Sequence, residues 1–260
     1  MNIGVAKPSL AELNEIHHYF INTHSIHEQV NAGSFETYAL NIAEKVFQKS
    51  DVVVMAGGTG LYVKAFCEGM DKMPDVPLAL HEEINRKYEE EGIEWLKREL
   101  KANDPVYYST GEIQNPHRML RALEIKMASG RSIREYQNKK NAVRDFKVIK
   151  IGMEVSKPEL HRNIDHRVEE MMKQGLLDEV KQLYEFKNLK ALQTVGYTEL
   201  FEFLDNKHSL KESVENIKKN TRHYAKRQMT WFRRETDIKW FPPSDINGIL
   251  NELNPTVKES

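Results

Sequence analysis

The sequence has a single cysteine, Cys67, so an internal disulfide and a Cys-rich metal site are both excluded, and a reducing cytoplasm is the expected setting. No apolar run approaches the length of a membrane span, so no membrane role is expected. Residues 1–10 show no basic stretch followed by a long apolar one, and no secretory signal is expected. A global excess of charge is also lacking. The formal net charge is -1 and the sequence pI is about 6.8, so the chain taken whole carries no polyanion-binding signature. Internal repeats and low-complexity tracts are absent as well. What is present is 260 residues, 40% hydrophobic and 30% charged, enough for a large core or a core with an insertion.

Charge is distributed unevenly. Residues 218–234 hold Lys218, Lys219, Arg222, Lys226, Arg227, Arg233 and Arg234 and no acidic residue, whereas residues 82–99 are strongly acidic with scattered Lys and Arg. A neutral chain with one local basic face fits a polyanion at one surface.

The periodicity predicts a helix over residues 35–49, then a buried strand in the continuous apolar run Val52-Val53-Val54-Met55. Gly57-Gly58-Thr59-Gly60 turns the chain into a helix over residues 61–68. Amphipathic helices follow around residues 80–91, 93–102 and 116–129, with no convincing strand among them. Residues 147–155 read as a strand again, and the chain is helical from Pro158 to about Arg233. Residues 240–244 and the polar tail from Asn254 close the domain loosely. The predicted architecture is an α/β core, residues 1–70 and 147–260, with a parallel sheet flanked by helices. An all-helical insertion, residues 71–146, interrupts it.

Several motifs carry chemistry. On a helix, Arg222, Lys226 and Arg233 fall near one face while Ala225, Met229 and Phe232 form an apolar stripe. Aligned cations suit phosphates, with release of counterions; a solvated basic helix end is the alternative. Gly57 and Gly58 end the predicted strand where the backbone approaches a neighbour closely, and Thr59 offers a hydroxyl at the next helix start. Asn115 is a predicted N-cap with Pro116 at the first helical position. Arg118 and Arg121 are then exposed one turn apart, with Leu120 and Leu123 inward, and an Arg121–Glu124 pair is the alternative role. His161 and Asp165 have helical spacing for a shared ligand, but such a lone pair is more often solvated, and no protein metal site is predicted. No GxxxxGK[ST] phosphate loop occurs in the sequence.

Residues 225–233 read AKRQMTWFR, which resembles the closing signature of the tRNA dimethylallyltransferase family. Other blocks follow in that family's order. They are MNIGVAKP at residues 1–8 (Val5 replacing the usual Thr), AGGTGLY at 56–62, NPHRMLRALE at 115–124 and LQTVGY at 192–197. The resemblance covers nearly the whole chain. It implies a P-loop-NTPase-like fold whose first strand and phosphate loop, with the general-base Asp, lie upstream of the opening loop. It further implies transfer of a dimethylallyl group from dimethylallyl diphosphate to N6 of adenine 37, beside the anticodon, in tRNAs reading U-starting codons. Mg²⁺ is the implied cofactor, and the implied state is a monomer.

The same resemblance matches Arg167 to the Arg that grips the donor diphosphate. It implies tRNA contacts at Thr59, at His117, Arg118, Met119, Leu120 and Arg121, and at Gln193, Thr194, Val195, Gly196 and Tyr197. Lys226, Arg227, Gln228, Met229, Thr230, Trp231, Phe232 and Arg233 complete that set. His81, Asn163 and Thr198 stand where relatives often carry basic residues, and no role is carried to them. Two other readings stay open: a prenyltransferase acting on free adenylates, and a non-catalytic RNA-binding protein.

Overall fold

The computed structural model describes residues 1–5, 7–137 and 142–257; Ala6 of the opening motif and the last three residues of the polar tail lie outside it. The described chain forms two compact units, Met1–Cys67 with Arg144–Ser260, and Glu68–Val143.

The first unit opens with an extended loop. Ser9 then caps α1 (Leu10–Glu15) through a reciprocal bond pair with Glu12. Asn31 caps α2 (Ala32–Phe47) in the same way with Ser34. The expected strand at residues 52–55 does not form. Val52, Val54 and Met55 are 51%, 85% and 38% exposed, and the segment has no ladder partner among the described residues. An apolar run specifies a strand only where neighbours cover both faces. The turn at Thr59 leads directly into α3 (Gly60–Glu68), whose first amides, those of Tyr62 and Val63, donate to the Thr59 carbonyl.

The second unit is all helical. α4 (Leu78–Asn103) is continuous by hydrogen bonding, but Gly92 sits at φ 74°, ψ -167° and breaks it where the two expected helices meet. α5 (Pro105–Thr110) is capped by Asp104, which is 1% exposed and also accepts from Ser132 Oγ at 2.9 Å. α6 (Pro116–Ser129) has the predicted Asn115 cap and Pro116 start and ends on Gly130 at φ 73°. A single turn, α7 (Ile133–Tyr136), follows. α4 packs along α6, and Leu96, Leu100, Met119 and Ile125 are fully buried between the helices of this unit.

Back in the first unit, β1 (Lys150–Met153) lies within the strand expected at 147–155. α8 (Lys157–Lys173), α9 (Leu176–Gln182), α10 (Tyr197–Leu204) and α11 (Leu210–Phe232) follow. β2 (Ile238–Phe241) then pairs parallel to β1, Lys150 opposite Ile238, and α12 (Ile246–Val257) ends the described chain. Here the expectation of a loose ending at 240–244 is corrected: Trp240 and Phe241 are ladder residues. Trp240 covers Gly152, where a Cβ would collide with its ring, so the opposed glycine is what lets the two strands close. Lys150, held by Glu235 at 3.2 Å and Asp237 at 3.0 Å, anchors the start of the pair. Val168, Leu176, Val180, Leu192, Tyr197, Leu200 and Ile217 form the core beneath α8–α11. The result is a helix-rich α/β chain with a small parallel sheet and a helical insertion, the class expected from the sequence.

Candidate nucleic-acid interface and active site

Four sequence motifs separated along the chain meet in two pairs within the first unit. The glycine turn is seated on the C-terminal half of α11. Gln228 Nε2 donates to the Gly58 carbonyl at 3.0 Å, across 170 residues of sequence. A Cβ at Gly58 would overlap the Gln228 amide, and one at Gly60 would overlap the Trp231 indole. The glycines are therefore there for close approach, and Thr59 stays exposed between them. Gln228 and Trp231 are half-buried by this contact, as are Met229 and Phe232 on the same helix, while Lys226, Arg227, Thr230 and Arg233 are exposed.

The outward face of this helix end is a shallow cavity of about 480 Å³ lined by His223, Lys226, Arg227, Thr230, Trp231 and Arg234. Lys226, Arg227 and Arg234 have no ion pair among the described residues. Arg227 lies 5.6 Å from the Tyr224 ring centroid, an arrangement that leaves its N–H groups open to an anion. Two other cations expected on this face are engaged. Arg222 is bonded to Asp165 of α8, and Arg233 pairs with Glu154 at 2.9 Å. Of the row expected at Arg222, Lys226 and Arg233, Lys226 is therefore the one without an ion pair among the described residues, beside its neighbours Arg227 and Arg234.

The opening loop is tied to the motif at 192–197. Glu179 of α9 accepts from the backbone amides of Asn2 (2.8 Å), Ile3 (3.1 Å) and Gly4 (3.3 Å) and from the Tyr197 hydroxyl. Burial works to raise the Glu179 pKa, but the bonds from Tyr197 and the three amides outweigh it and hold the carboxyl below its usual range. Burial, with the Glu179 charge beside it, pushes the Tyr197 hydroxyl far up. Gly4 lies against the Tyr197 ring with no room for a side chain. Gly196 and Tyr197 are buried, Val195 is half-buried, and Gln193 and Thr194 alone of this motif are exposed. Tyr197 is therefore a core residue in this structure, since its ring and hydroxyl are both used internally. Nothing in the sequence singles out Glu179, because its role depends on where a distant loop returns.

Arg167 is exposed on α8, with no ion pair among the described residues. Its charge is available to an anionic ligand.

In the helical unit the implied contact run splits in two. His117, Arg118 and Arg121 are exposed, whereas Met119 and Leu120 are 0% and 6% exposed and point into the core. Their place in a contact motif is corrected accordingly, since helical periodicity turns them away from solvent. Arg118 is engaged by Glu112. Arg121 reaches Glu124 at 3.3 Å, and His81 Nδ1 lies 2.7 Å from the other oxygen of that carboxylate, whose side chain is only 5% exposed. Among the described residues no group of three or more His, Cys, Asp or Glu side chains is placed to hold a metal ion. No described helix is long and apolar enough to cross a membrane.

The fold and this clustering define an α/β protein with a cationic groove over a tight glycine turn. The family model described as IPP transferase matches residues 1–235, and the chain belongs to that family. It is 39% identical over 259 residues to a tRNA dimethylallyltransferase of Cytophaga hutchinsonii, covering 100% of this chain and 85% of that one. It is 44% identical over 241 residues to the tRNA dimethylallyltransferase of Christiangramia forsetii, covering 93% and 80%. Among solved structures it resembles the full-length tRNA isopentenylpyrophosphate transferase of Bacillus halodurans. That match has a TM-score of 0.68 and 27% identity, and it covers 100% of this chain and 83% of that one.

Proposed function

We propose that this chain is a transferase that grips tRNA and presents the target base for dimethylallyl transfer. The group moves from dimethylallyl diphosphate to N6 of adenine 37 beside the anticodon, in tRNAs reading U-starting codons, and the protein works as a cytoplasmic monomer. The observation that carries this reading is the seating of the Thr59 turn on α11, next to the exposed Lys226, Arg227 and Thr230. A transferase acting on a base in a folded RNA must hold the phosphate backbone and take the base out of its stack. That costs roughly a few kcal/mol and calls for a cationic face beside a shaped polar turn.

Cleavage of the donor's carbon–oxygen bond leaves its electron pair, and negative charge, on departing diphosphate. Cations aimed there stabilise it, and Arg167 supplies one with an open planar fork. The attacking nitrogen must lose a proton to a base as its bond to carbon forms. Mg²⁺, the cofactor implied by the resemblance, would add positive charge against the leaving diphosphate beside that of Arg167.

The test is transfer of labelled dimethylallyl from its diphosphate to tRNA. The 260-residue chain is assayed alone and with the phosphate-loop segment implied by the resemblance added upstream. Label in tRNA, abolished by Arg167→Ala, is expected at least from the extended form. Label appearing in free adenylate instead of tRNA would establish the nucleotide-prenylating alternative, and tRNA binding without transfer by either form would leave an RNA-binding protein.

A further inference from the structure

The contact between Gln228 and Gly58 has a placement that a phosphate-binding helix does not require. Gln228 lies one and two residues beyond Arg227 and Lys226 in α11, and two before Thr230. Those three neighbours are exposed and line the cationic cavity, whereas Gln228 is half-buried outside that lining, donating to the Gly58 carbonyl at 3.0 Å. Trp231, one turn further on, lines the same cavity and also closes on Gly60. The helix end that would meet RNA therefore also holds both flanks of the turn bearing Thr59, Gly58 through Gln228 and Gly60 through Trp231 at the edge of the cavity. On its C-terminal side the Thr59 turn is held by the start of α3, but on its N-terminal side residues 52–55 pair with no strand among the described residues, and Gly57 has open space where a side chain would be.

We infer that Gln228 is a positioning residue, which couples seating of RNA on the outer face of α11 to the placement of Thr59 and hence of the extruded base. This rests on the tRNA reading proposed above. The backbone carbonyl of Gly58 is the handle: the Gln228 amide donor sets the height of the turn over the helix, and the indole of Trp231 against Gly60 sets its tilt. Misplacement by about 1 Å in such a site costs on the order of a hundredfold in rate while leaving distant binding contacts intact. A residue that merely contacted phosphate would instead lower affinity and the salt dependence together.

The experiment uses tRNA carrying 2-aminopurine at the target position, whose fluorescence rises when the base leaves its stack, alongside filter binding of the same RNA. Gln228→Met keeps length and volume and removes the donor. Gly58→Ala attacks the same contact from the other side, because its methyl occupies the Gln228 amide position. Gly57→Ala, which meets nothing within reach, is the control. Gln228→Met and Gly58→Ala are each expected to lose most of the fluorescence gain while tRNA affinity changes less than about threefold, and the double variant is expected to be no worse than the poorer single one. Circular dichroism melts identify a variant that does not fold, in which case the other single variant carries the test.

Full fluorescence gain in a folded Gln228→Met or Gly58→Ala protein overturns the inference. So does a parallel fall in affinity and fluorescence, which would make Gln228 an ordinary RNA contact, and so does additivity in the double variant. Wild-type protein that binds the RNA with no fluorescence gain would sink the proposed function itself, a different outcome from any of these.

Discussion

The basic helices α6 and α11 look alike in sequence and differ in what their cations do. On α6 both arginines are engaged within their own unit, Arg118 by Glu112 and Arg121 by the buried Glu124. On α11 the ion pairs fall at Lys218, Arg222 and Arg233, and leave Lys226, Arg227 and Arg234 open around a shallow cavity. A run of Lys and Arg is thus a poor count of phosphate-binding capacity. The count that matters is of cations whose carboxylate partners are absent, because an anion competing with an existing ion pair gains only the difference between the two.

The largest expected effect tests the open side of this comparison. Replacing both Lys226 and Arg227 with Ala should reduce the slope of log K against log salt for tRNA by about 1.4–1.8 units, at roughly 0.7–0.9 for each phosphate that is no longer neutralised. Affinity in low salt should fall by about tenfold or more. Arg222→Ala, by contrast, should leave the slope unchanged and lower stability, because it strands Asp165 without its partner. An equal loss of slope in the Arg222 and Lys226/Arg227 variants would abolish the distinction between open and engaged cations.

A smaller effect tests compensation of the opposite sign. Glu179 is a carboxylate stabilised by three backbone amides and a hydroxyl, not by a cation. Its folded pKa is depressed, so its contribution is fully present above the ordinary carboxylate pKa and is lost as pH falls through the folded value. Glu179→Gln should therefore cost about 1 kcal/mol at pH 7, after allowance for partial solvent access, and the gap to wild type should close well below about pH 4. Urea melts across pH measure it. A constant gap from neutral to acid pH would show that the charge of Glu179 does not hold the opening loop.

Legibility in the sequence follows the range of the interactions. The helices at 35–49, 80–91, 93–102, 116–129 and from Pro158 onward are readable because periodicity and caps are local; Asn115 and Pro116 mark the start of α6, and Gly92 the break in α4. The run at 52–55 reads as a strand and does not form one, since an apolar run says nothing about whether neighbours are present. β2 escapes a sequence reading because four residues, IKWF, are too few to show alternation. Within the site, motif order points to the glycine turn and to α11, but the Gln228–Gly58 contact spans 170 residues and leaves no local trace. The ion pairs that silence Arg222 and Arg233, 57 and 79 residues distant, are invisible for the same reason. Met119 and Leu120 show the converse: motif membership suggests contact, while helical periodicity already turns Leu120 inward.

The smallest effect sharpens the comparison from the engaged side. If Glu112 masks Arg118, then Glu112→Gln should free a cation on α6 without adding any residue that binds RNA. Both side chains are exposed, at 60% for Arg118 and 49% for Glu112, so the pair itself contributes on the order of 0–1 kcal/mol, and breaking it should leave the melting temperature nearly unchanged. Removing a carboxylate also removes local repulsion of phosphate. The salt slope for tRNA should then steepen by less than one unit, with affinity rising about twofold or less, and Arg118→Ala in that background should return both to the wild-type values. Arg121 offers no such gain. Its partner Glu124 is buried and shared with His81, so neutralising it disturbs the core of the helical unit before it releases a cation. If Glu112→Gln leaves the slope flat while the protein stays folded, α6 does not meet RNA phosphates in either state, and the basic face of α11 must carry the backbone grip without it.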